Sequence, residues 1–422
     1  MSEKNNKYTP NLRFPEFSGE WEEKTLGEVG YFVRGLSYNK SDVTEDASST
    51  LVIRSNNIIQ DSAVDCINGL QYVTKTPSEE QQLEKGDIVI CLANGSSNLV
   101  GKTSSFDGNY TGVVTVGAFC GIFRSSLPIC KYLVQTSAYK NKINLIKQGG
   151  NGALANLYGK DILGLSFFIP TAPEEQRKIA SCLSAMDDLI AAQAEKVEAL
   201  KEKKTGLMQQ MFPQAGETTP RLRFPEFTGE WEVKKLGEVA KKVNRKNTLL
   251  KVSRVLTNSA NLGVVDQGAY FDRDIAVKEN TGNYSIVEIE DFVYNPRIST
   301  AAPVGPISIN KVGQGIMSPL YTIFKFHTGS VPFYEQYFQT TIWHSYLKGI
   351  ANFGARFDRM NITTEGFFNM PLYVPTDPAE QEKIASFLSA LDNQIAAETE
   401  KLTALKDYKK GLMQQLFPQP AK

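Results

Sequence analysis

Two tracts of this chain occur twice. Residues 10–29 read PNLRFPEFSGEWEEKTLGEV and residues 220–239 read PRLRFPEFTGEWEVKKLGEV. Residues 169–214 read IPTAPEEQRKIASCLSAMDDLIAAQAEKVEALKEKKTGLMQQMFPQ, and 374–419 read VPTDPAEQEKIASFLSALDNQIAAETEKLTALKDYKKGLMQQLFPQ. The period of about 205–210 residues far exceeds the 20–50 of a solenoid, so each half can bury a core of its own. A length of 422 residues allows two or three domains, and the repeat sets the number at two similar halves. The roughly 140 residues enclosed by each copy are hardly alike. A fixed frame around two unlike inserts suggests a device that holds two different readers at a set distance.

The second tract predicts a long helix in each half. From Pro173 onward apolar residues fall at Ile179, Leu183, Met186, Ile190, Val197, Leu200, Leu207 and Met211, with Gln193 and Lys204 filling the seam. The second copy places Ile384, Leu388, Leu391, Ile395, Leu402, Leu405, Leu412 and Leu416, with Glu398 and Lys409 interrupting. Alternating steps of three and four make a heptad seam. Pro173 and Pro378 suit a first helical turn, and the Phe-Pro pairs at 212–213 and 417–418 mark the ends, since proline cannot continue a helix. Each helix spans roughly 55 Å at 1.5 Å per residue. Matching seams predict that the two pack together, antiparallel if a two-fold axis relates the halves. The polar seam positions then set register at some cost in stability. Ala191, Ala192, Ala396 and Ala397 leave room for another chain on the outer face.

Inside the inserts the expected strands are LVIRSNNI, GDIVICLA, VGKTSSF, GVVTVGAFCGIFR and LSFFIP, then SIVEIEDFVYNPRIST, VGPISIN and LYTIFKF. A faint alignment survives at an offset of 204: GDIVI at 86–90 matches EDFVY at 290–294, and Val100-Gly101 matches Val304-Gly305. The loop between these strands changes from LANGSSNL to PRISTAAP. Unlike loops on a shared scaffold are where specificity resides.

The loop chemistry suits reading base edges. The first insert offers Asn94, Ser96, Ser97, Asn98 and Lys102, then Lys147, Gln148, Asn151 and Asn156. The second offers Lys241, Lys242, Asn244, Arg245 and Lys246, then Arg297 and Ser299, then Arg356, Arg359 and Asn361. Arg and Lys reach guanine O6 and N7, Asn and Gln clamp adenine N6 and N7, and the cations also grip phosphate. Lys+Arg and Asp+Glu both number 46, which argues against tight, stand-alone, nonspecific nucleic-acid binding but not against a local basic face. The second insert does lean basic, by about four charges.

Other chemistry finds little support. The run GSSNLVGKT at 95–103 resembles a P-loop but has five residues between its glycines, and a turn is expected after it where a P-loop has a helix. His327 and His344 are the only histidines, and neither lies in HExxH or near a cysteine pair. Carboxylates form no repeated pairs, and no glycine-rich strand-to-helix turn awaits a nucleotide cofactor. Neither a catalytic nor a metal site is expected. Cys66, Cys91, Cys120, Cys130 and Cys182 all fall in the first half with no CxxC, which reads as free thiols in a reducing cytosol. The start, MSEKNNKYTP, has no apolar stretch, so no signal peptide is expected. With no run of 18 apolar residues, no membrane span is expected either, and the expected location is the cytoplasm.

LRFPEF-x-GEW, a variable domain, then P-x-EQ-x-KIA-x-x-LS opening a long helix at Glu175-Gln176 and again at Glu380-Gln381, resembles the specificity subunit of type I restriction–modification systems over nearly the whole chain. The resemblance implies an α+β fold of two halves related by a pseudo-two-fold axis, each a mixed α/β target recognition domain followed by a long helix, the helices packed as an antiparallel coiled coil. The expected segments are 1–170 and 214–375 for recognition, and 171–213 and 376–422 for the spacers. It further implies a non-catalytic subunit that binds double-stranded DNA at an asymmetric target of two half-sites. Two methyltransferase subunits and two restriction/translocase subunits would be its partners, with S-adenosylmethionine and ATP on those chains and no cofactor here. The alternative is a non-catalytic scaffold with two protein-binding domains on a helical spacer, which zero net charge favours.

Overall fold

A computed structural model describes residues 9–148, 156–214, 216–271, 278–352 and 358–418. The chain forms two compact units, Met1–Ala194 with Lys401–Lys422, and Glu195–Glu400. Both boundaries fall inside the long helices, which run over Pro173–Met211 and Pro378–Leu416. The first unit therefore holds the start of the first helix and the end of the second. The second unit holds the complementary pieces.

In the first unit, Trp21–Thr25 pairs antiparallel with Ser166–Pro170, with Trp21 opposite Pro170. That pairing closes the first insert just before its helix begins. A four-stranded antiparallel sheet follows the order Tyr31–Arg34, Cys120–Arg124, Ile88–Cys91, Thr103–Ser105. A second sheet orders Val43–Thr44, Tyr72–Val73, Thr50–Ile53 and Val114–Val116, the last two strands parallel. Val89, Cys91, Leu51, Ile53, Val116 and Ile122 form a core with both sheets contributing. Ile88, Ile90 and Phe123, from the first sheet, instead join Trp21, Ile179 and Leu183.

The second unit repeats the frame. Glu232–Lys235 pairs with Pro371–Val374, and the main sheet runs Ala240–Lys242, Thr322–Phe326, Phe292–Tyr294, Ile307–Ile309. The second layer differs. It is two separate antiparallel pairs, Leu256–Ser259 with Gly263–Asp266 and Ser285–Val287 with Gly315–Met317.

Two expected strands are each broken. GVVTVGAFCGIFR becomes Val114–Val116 and Cys120–Arg124, which belong to different sheets. Between them the Cys120 N–H donates to the Gly117 carbonyl at 2.8 Å, closing a turn. SIVEIEDFVYNPRIST becomes Ser285–Val287 and Phe292–Tyr294, interrupted by Glu290 at φ +67°. Apolar residues flank both turns closely, so hydrophobic periodicity alone does not mark the breaks.

The offset of 204 is visible in the backbone. Gly86 and Glu290 take φ of +98° and +67°, and Gly101 and Gly305 take +86° and +79°. Asp87 and Asp291, next in line, are both buried. Asp87 accepts from Arg124 Nε at 2.8 Å and Nη2 at 2.7 Å, and this bonding raises the Arg124 pKa. Asp291 pairs instead with Arg245. The same carboxylate is thus neutralised from a strand residue, Arg124, in the first half and from a loop residue, Arg245, in the second.

The repeated motifs form one clasp per unit. Arg13 donates through Nε and Nη2 to the Glu175 carboxylate, both at 2.7 Å, and Trp21 Nε1 donates to it at 3.3 Å. Arg223, Trp231 and Glu380 repeat this at 2.7, 2.8 and 3.4 Å. Glu175 is 1% exposed and Glu380 0%. Gln176 and Gln381 donate to the carbonyls of Pro170 and Pro375. The clasp is completed by the distant helix end. Phe417 meets Trp21 edge-on at 6.4 Å, and Phe212 meets Trp231 at 6.0 Å. Leu12 N donates to Gln415 O in the first unit, and Leu222 N to Gln210 O in the second.

Within each unit the helix segments run antiparallel. In the second unit Lys204 pairs with Asp392 and Lys196 with Glu398, so numbers rise on one helix as they fall on the other. In the first, Lys409 pairs with Asp187. Gln193, Lys204 and Lys409 are buried, as their seam positions require. Ala191, Ala192, Ala396 and Ala397 are exposed.

Candidate nucleic-acid interface

Each unit gathers its unlike loops at the same corner of the frame. In the first, the loop after Ile88–Cys91 is pinned to a later segment by Leu157 N donating to Leu92 O at 2.9 Å. In the second, Met360 N donates to Pro296 O at 3.0 Å. Leu92 and Pro296 are again 204 apart. Two stretches distant in sequence thereby become one surface in each unit.

On the first surface, Asn94 Nδ2 donates to Ser55 Oγ at 2.8 Å and its Oδ1 accepts from Ser96 N at 2.9 Å. Ser96, Ser97 and Asn98 are exposed, the last two in a short 3-10 turn over Ser97–Leu99. Lys147 lies near the end of the Ser137–Gln148 helix. Its Nζ donates to the carbonyls of Ser97 and Val100 at 3.3 and 3.5 Å, tying that helix to the turn. Lys102 is half-buried and Gln148 exposed. Asn151 lies outside the described residues.

On the second surface, Arg297 and Arg359 face each other in an antiparallel bridge, as do Asn352 and Asn361. Arg297 and Asn361 are exposed and Arg359 half-buried. Arg359 Nε is buried without a hydrogen-bond partner among the described residues. Ser299 Oγ accepts from Ala302 N, shaping a tight turn. Lys242 Nζ reaches Thr364 Oγ1 at 3.2 Å, close along the chain to Asn361. Arg356 lies outside the described residues. Arg245 and Lys246 stand apart from this group: Arg245 is held by Glu288 and Asp291, and Lys246 Nζ donates to Asn283 O and Ser285 Oγ. Their bonding within the protein gives each a structural task.

Two further contributors fall inside expected strands. Ser55, beyond Thr50–Ile53, supports Asn94 directly. Phe119, 71% exposed, lies in the turn after Gly117, and its carbonyl accepts from Leu92 N and Ala93 N. The polar run Ser55-Asn56-Asn57 and the glycine before Ala118-Phe119 were the signals available.

Among the described residues no group of His, Cys, Asp and Glu could hold a metal ion, and no helix is long and apolar enough to cross a membrane.

The chain belongs to the type I restriction modification DNA specificity domain family, whose model matches residues 18–202 and 228–407. It is 28% identical over 178 residues to the type I restriction enzyme EcoKI specificity subunit of Escherichia coli, covering 40% of this chain and 36% of that protein. It is also 28% identical over 193 residues to the StySPI specificity subunit of Salmonella potsdam, covering 43% of this chain and 38% of that protein. The matches thus span well under half the length of these two relatives. A putative type I restriction enzyme MjaX specificity subunit of Methanocaldococcus jannaschii is 25% identical over 98% of this chain and 96% of its own. The fold is similar to that of a type I restriction–modification S subunit from M. genitalium (TM-score 0.54, 12% identity, 98% of this chain and 100% of that one). It is likewise similar to a chain from a structure of a type I restriction–modification system (TM-score 0.53, 14% identity, 96% and 100%).

Proposed function

We propose that this chain is the DNA sequence-recognition subunit of a type I restriction–modification complex, with one half-site read by each unit. One observation carries the reading: the Leu157–Leu92 and Met360–Pro296 bonds place dissimilar polar loops at equivalent positions of a duplicated frame. Dissimilar loops read dissimilar half-sites, so the target is asymmetric. The long helices set the gap between half-sites, and their exposed alanine pairs offer close approach to partner subunits. Those partners are two methyltransferase subunits, which bring S-adenosylmethionine, and two restriction/translocase subunits, which bring ATP. This chain itself is non-catalytic, carries no cofactor and works in the cytoplasm. In this reading Arg297 and Arg359 meet base edges or phosphates in the second unit, as Asn94 and Asn98 do in the first; the Arg297–Arg359 bridge and the exposure of Asn98 support it.

The test is to exchange the segment between Trp231 and Val374 for that of a relative and to sequence methylated adenines in cells that carry the partners. One half-site changes and the other stays. An unchanged methylated sequence refutes the modular reading. Arg297→Ala weakens specific binding by about 1–3 kcal/mol if its guanidinium reads a base; unchanged affinity and preference remove it from the interface. Zero net charge favours a protein scaffold as the second reading. DNA affinity with methyltransferase present, measured against salt, separates the two, because phosphate contacts give a steep salt slope.

A further inference from the structure

Phe119 is an unusual exposed aromatic. It sits at the tip of the turn between Val114–Val116 and Cys120–Arg124, with 71% of its surface accessible. An exposed ring on a loose loop carries little meaning, but this turn is clamped on every side. Gly117 N donates to Ile53 O at 2.9 Å, Leu36 N donates to Val116 O at 2.7 Å, and Cys120 N closes the turn on Gly117 O. The Phe119 carbonyl takes two N–H donors, Leu92 at 2.8 Å and Ala93 at 3.2 Å. Gly35 packs so closely beneath that a Cβ there would lie 2.2 Å from the Gly117 oxygen. The backbone is fixed, so the ring is presented to solvent by construction.

Its position matters as much as its rigidity. Leu92 and Ala93, which hold Phe119, lead directly into Asn94 and the exposed turn at 96–98. The second unit does not repeat the feature. The corresponding turn, between Gly315–Met317 and Thr322–Phe326, carries Leu320, which is half-buried. The hydroxyl of its aromatic, Tyr321, is hydrogen-bonded to Thr257 Oγ1 at 2.9 Å. The apolar tip thus belongs to one reader only, as a specificity element must.

Given the DNA-recognition reading above, we propose that Phe119 is a specificity-determining residue of the first unit and that its ring packs on the C5-methyl group of a thymine in that unit's half-site. Phenylalanine against the thymine methyl is an apolar form of major-groove readout. The neighbouring amides and hydroxyls supply the polar part of the same readout. A rigid turn suits this role, since no loop ordering opposes the contact.

The experiment uses the full chain with its methyltransferase subunits. A randomised duplex library gives the wild-type target, and the segment exchange assigns one half-site to the first unit. Each thymine of that half-site is then replaced singly by uracil, which removes only the methyl group, and affinity is measured at fixed salt for wild type, Phe119→Ala and Phe119→Leu. One uracil position is expected to weaken wild-type binding about fourfold to tenfold, the order expected for one lost methyl contact. Phe119→Ala is expected to bind the thymine and uracil duplexes equally, and Phe119→Leu to retain part of the difference. Thermal melting checks that both variants fold, as an exposed side chain predicts. A first half-site without thymine, a wild type indifferent to every uracil, or a Phe119→Ala variant that keeps the discrimination overturns the proposal. If the wild type selects no duplex at all, the DNA-recognition reading fails instead.

Discussion

Breaking the clasp in one unit should cost far more than its surface position suggests. Arg13 and Glu175 are joined by two charged hydrogen bonds of 2.7 Å, with side-chain exposures of 17% and 1%. In Arg13→Ala the Glu175 carboxylate stays buried, with the 3.3 Å bond from Trp21 as its remaining side-chain donor in the clasp. An uncompensated buried charge costs about 3–5 kcal/mol. With a urea slope near 3 kcal/mol/M for a unit of this size, the midpoint falls by about 1–1.7 M. Glu175→Gln costs less, about 1–3 kcal/mol, because the Arg13 guanidinium still has the carbonyls of Ser18 and Gly19. Urea titrations of both single variants and the double variant, followed by tryptophan fluorescence, give the coupling. Lys178 and Glu16 serve as an internal control: they are paired in the same clasp but are 48% and 43% exposed, and no measurable coupling is expected between them. The second unit should repeat the result with Arg223 and Glu380. If Arg13→Ala lowers stability by less than about 1 kcal/mol, the buried-charge reasoning is wrong.

Three further outcomes are expected. Gly305→Ala should destabilise by about 3 kcal/mol or more and Gly86→Ala by about 1–2. Both have positive φ, but a Cβ at 305 lies 2.0 Å from the Asn295 carbonyl oxygen while 86 faces open space; equal thermal shifts would contradict this. In the native protein a thiol reagent should label Cys66 and Cys182 and spare Cys91, Cys120 and Cys130, which are buried. Burial also pushes the Cys130 thiol up to about 11, and rapid native labelling there would show that the core opens. Lys409→Met should stay within about 1 kcal/mol of wild type by thermal denaturation. Asp187 is 27% exposed and keeps the Tyr132 hydroxyl at 3.0 Å; a loss above about 3 kcal/mol would mean the seam depends on this ion pair.

Much was decided by sequence alone. Heptad spacing is a local property, so the seam from Ile179 to Met211 and its copy were readable, and the helices run where the prolines place them. The duplicated tracts likewise marked two units, and the offset of 204 survived in the paired positive-φ residues. Tertiary structure decided what those tracts do. Arg13 and Glu175 are 162 positions apart, and only folding makes them a buried pair. It also decided that Phe417 completes the unit begun by Trp21. At the candidate interface, residue type pointed to Arg297, Arg359 and Asn361, and strand pairing brought them together. Residue type equally pointed to Arg245, which folding assigns to a buried aspartate. Phe119 went the other way, an apolar residue in a hydrophobic run that a turn carries out to solvent. Periodicity tells which side chains can share a face. Whether a polar group is spent inside the protein or left for a ligand depends on partners far along the chain, and these are fixed only when the chain closes on itself.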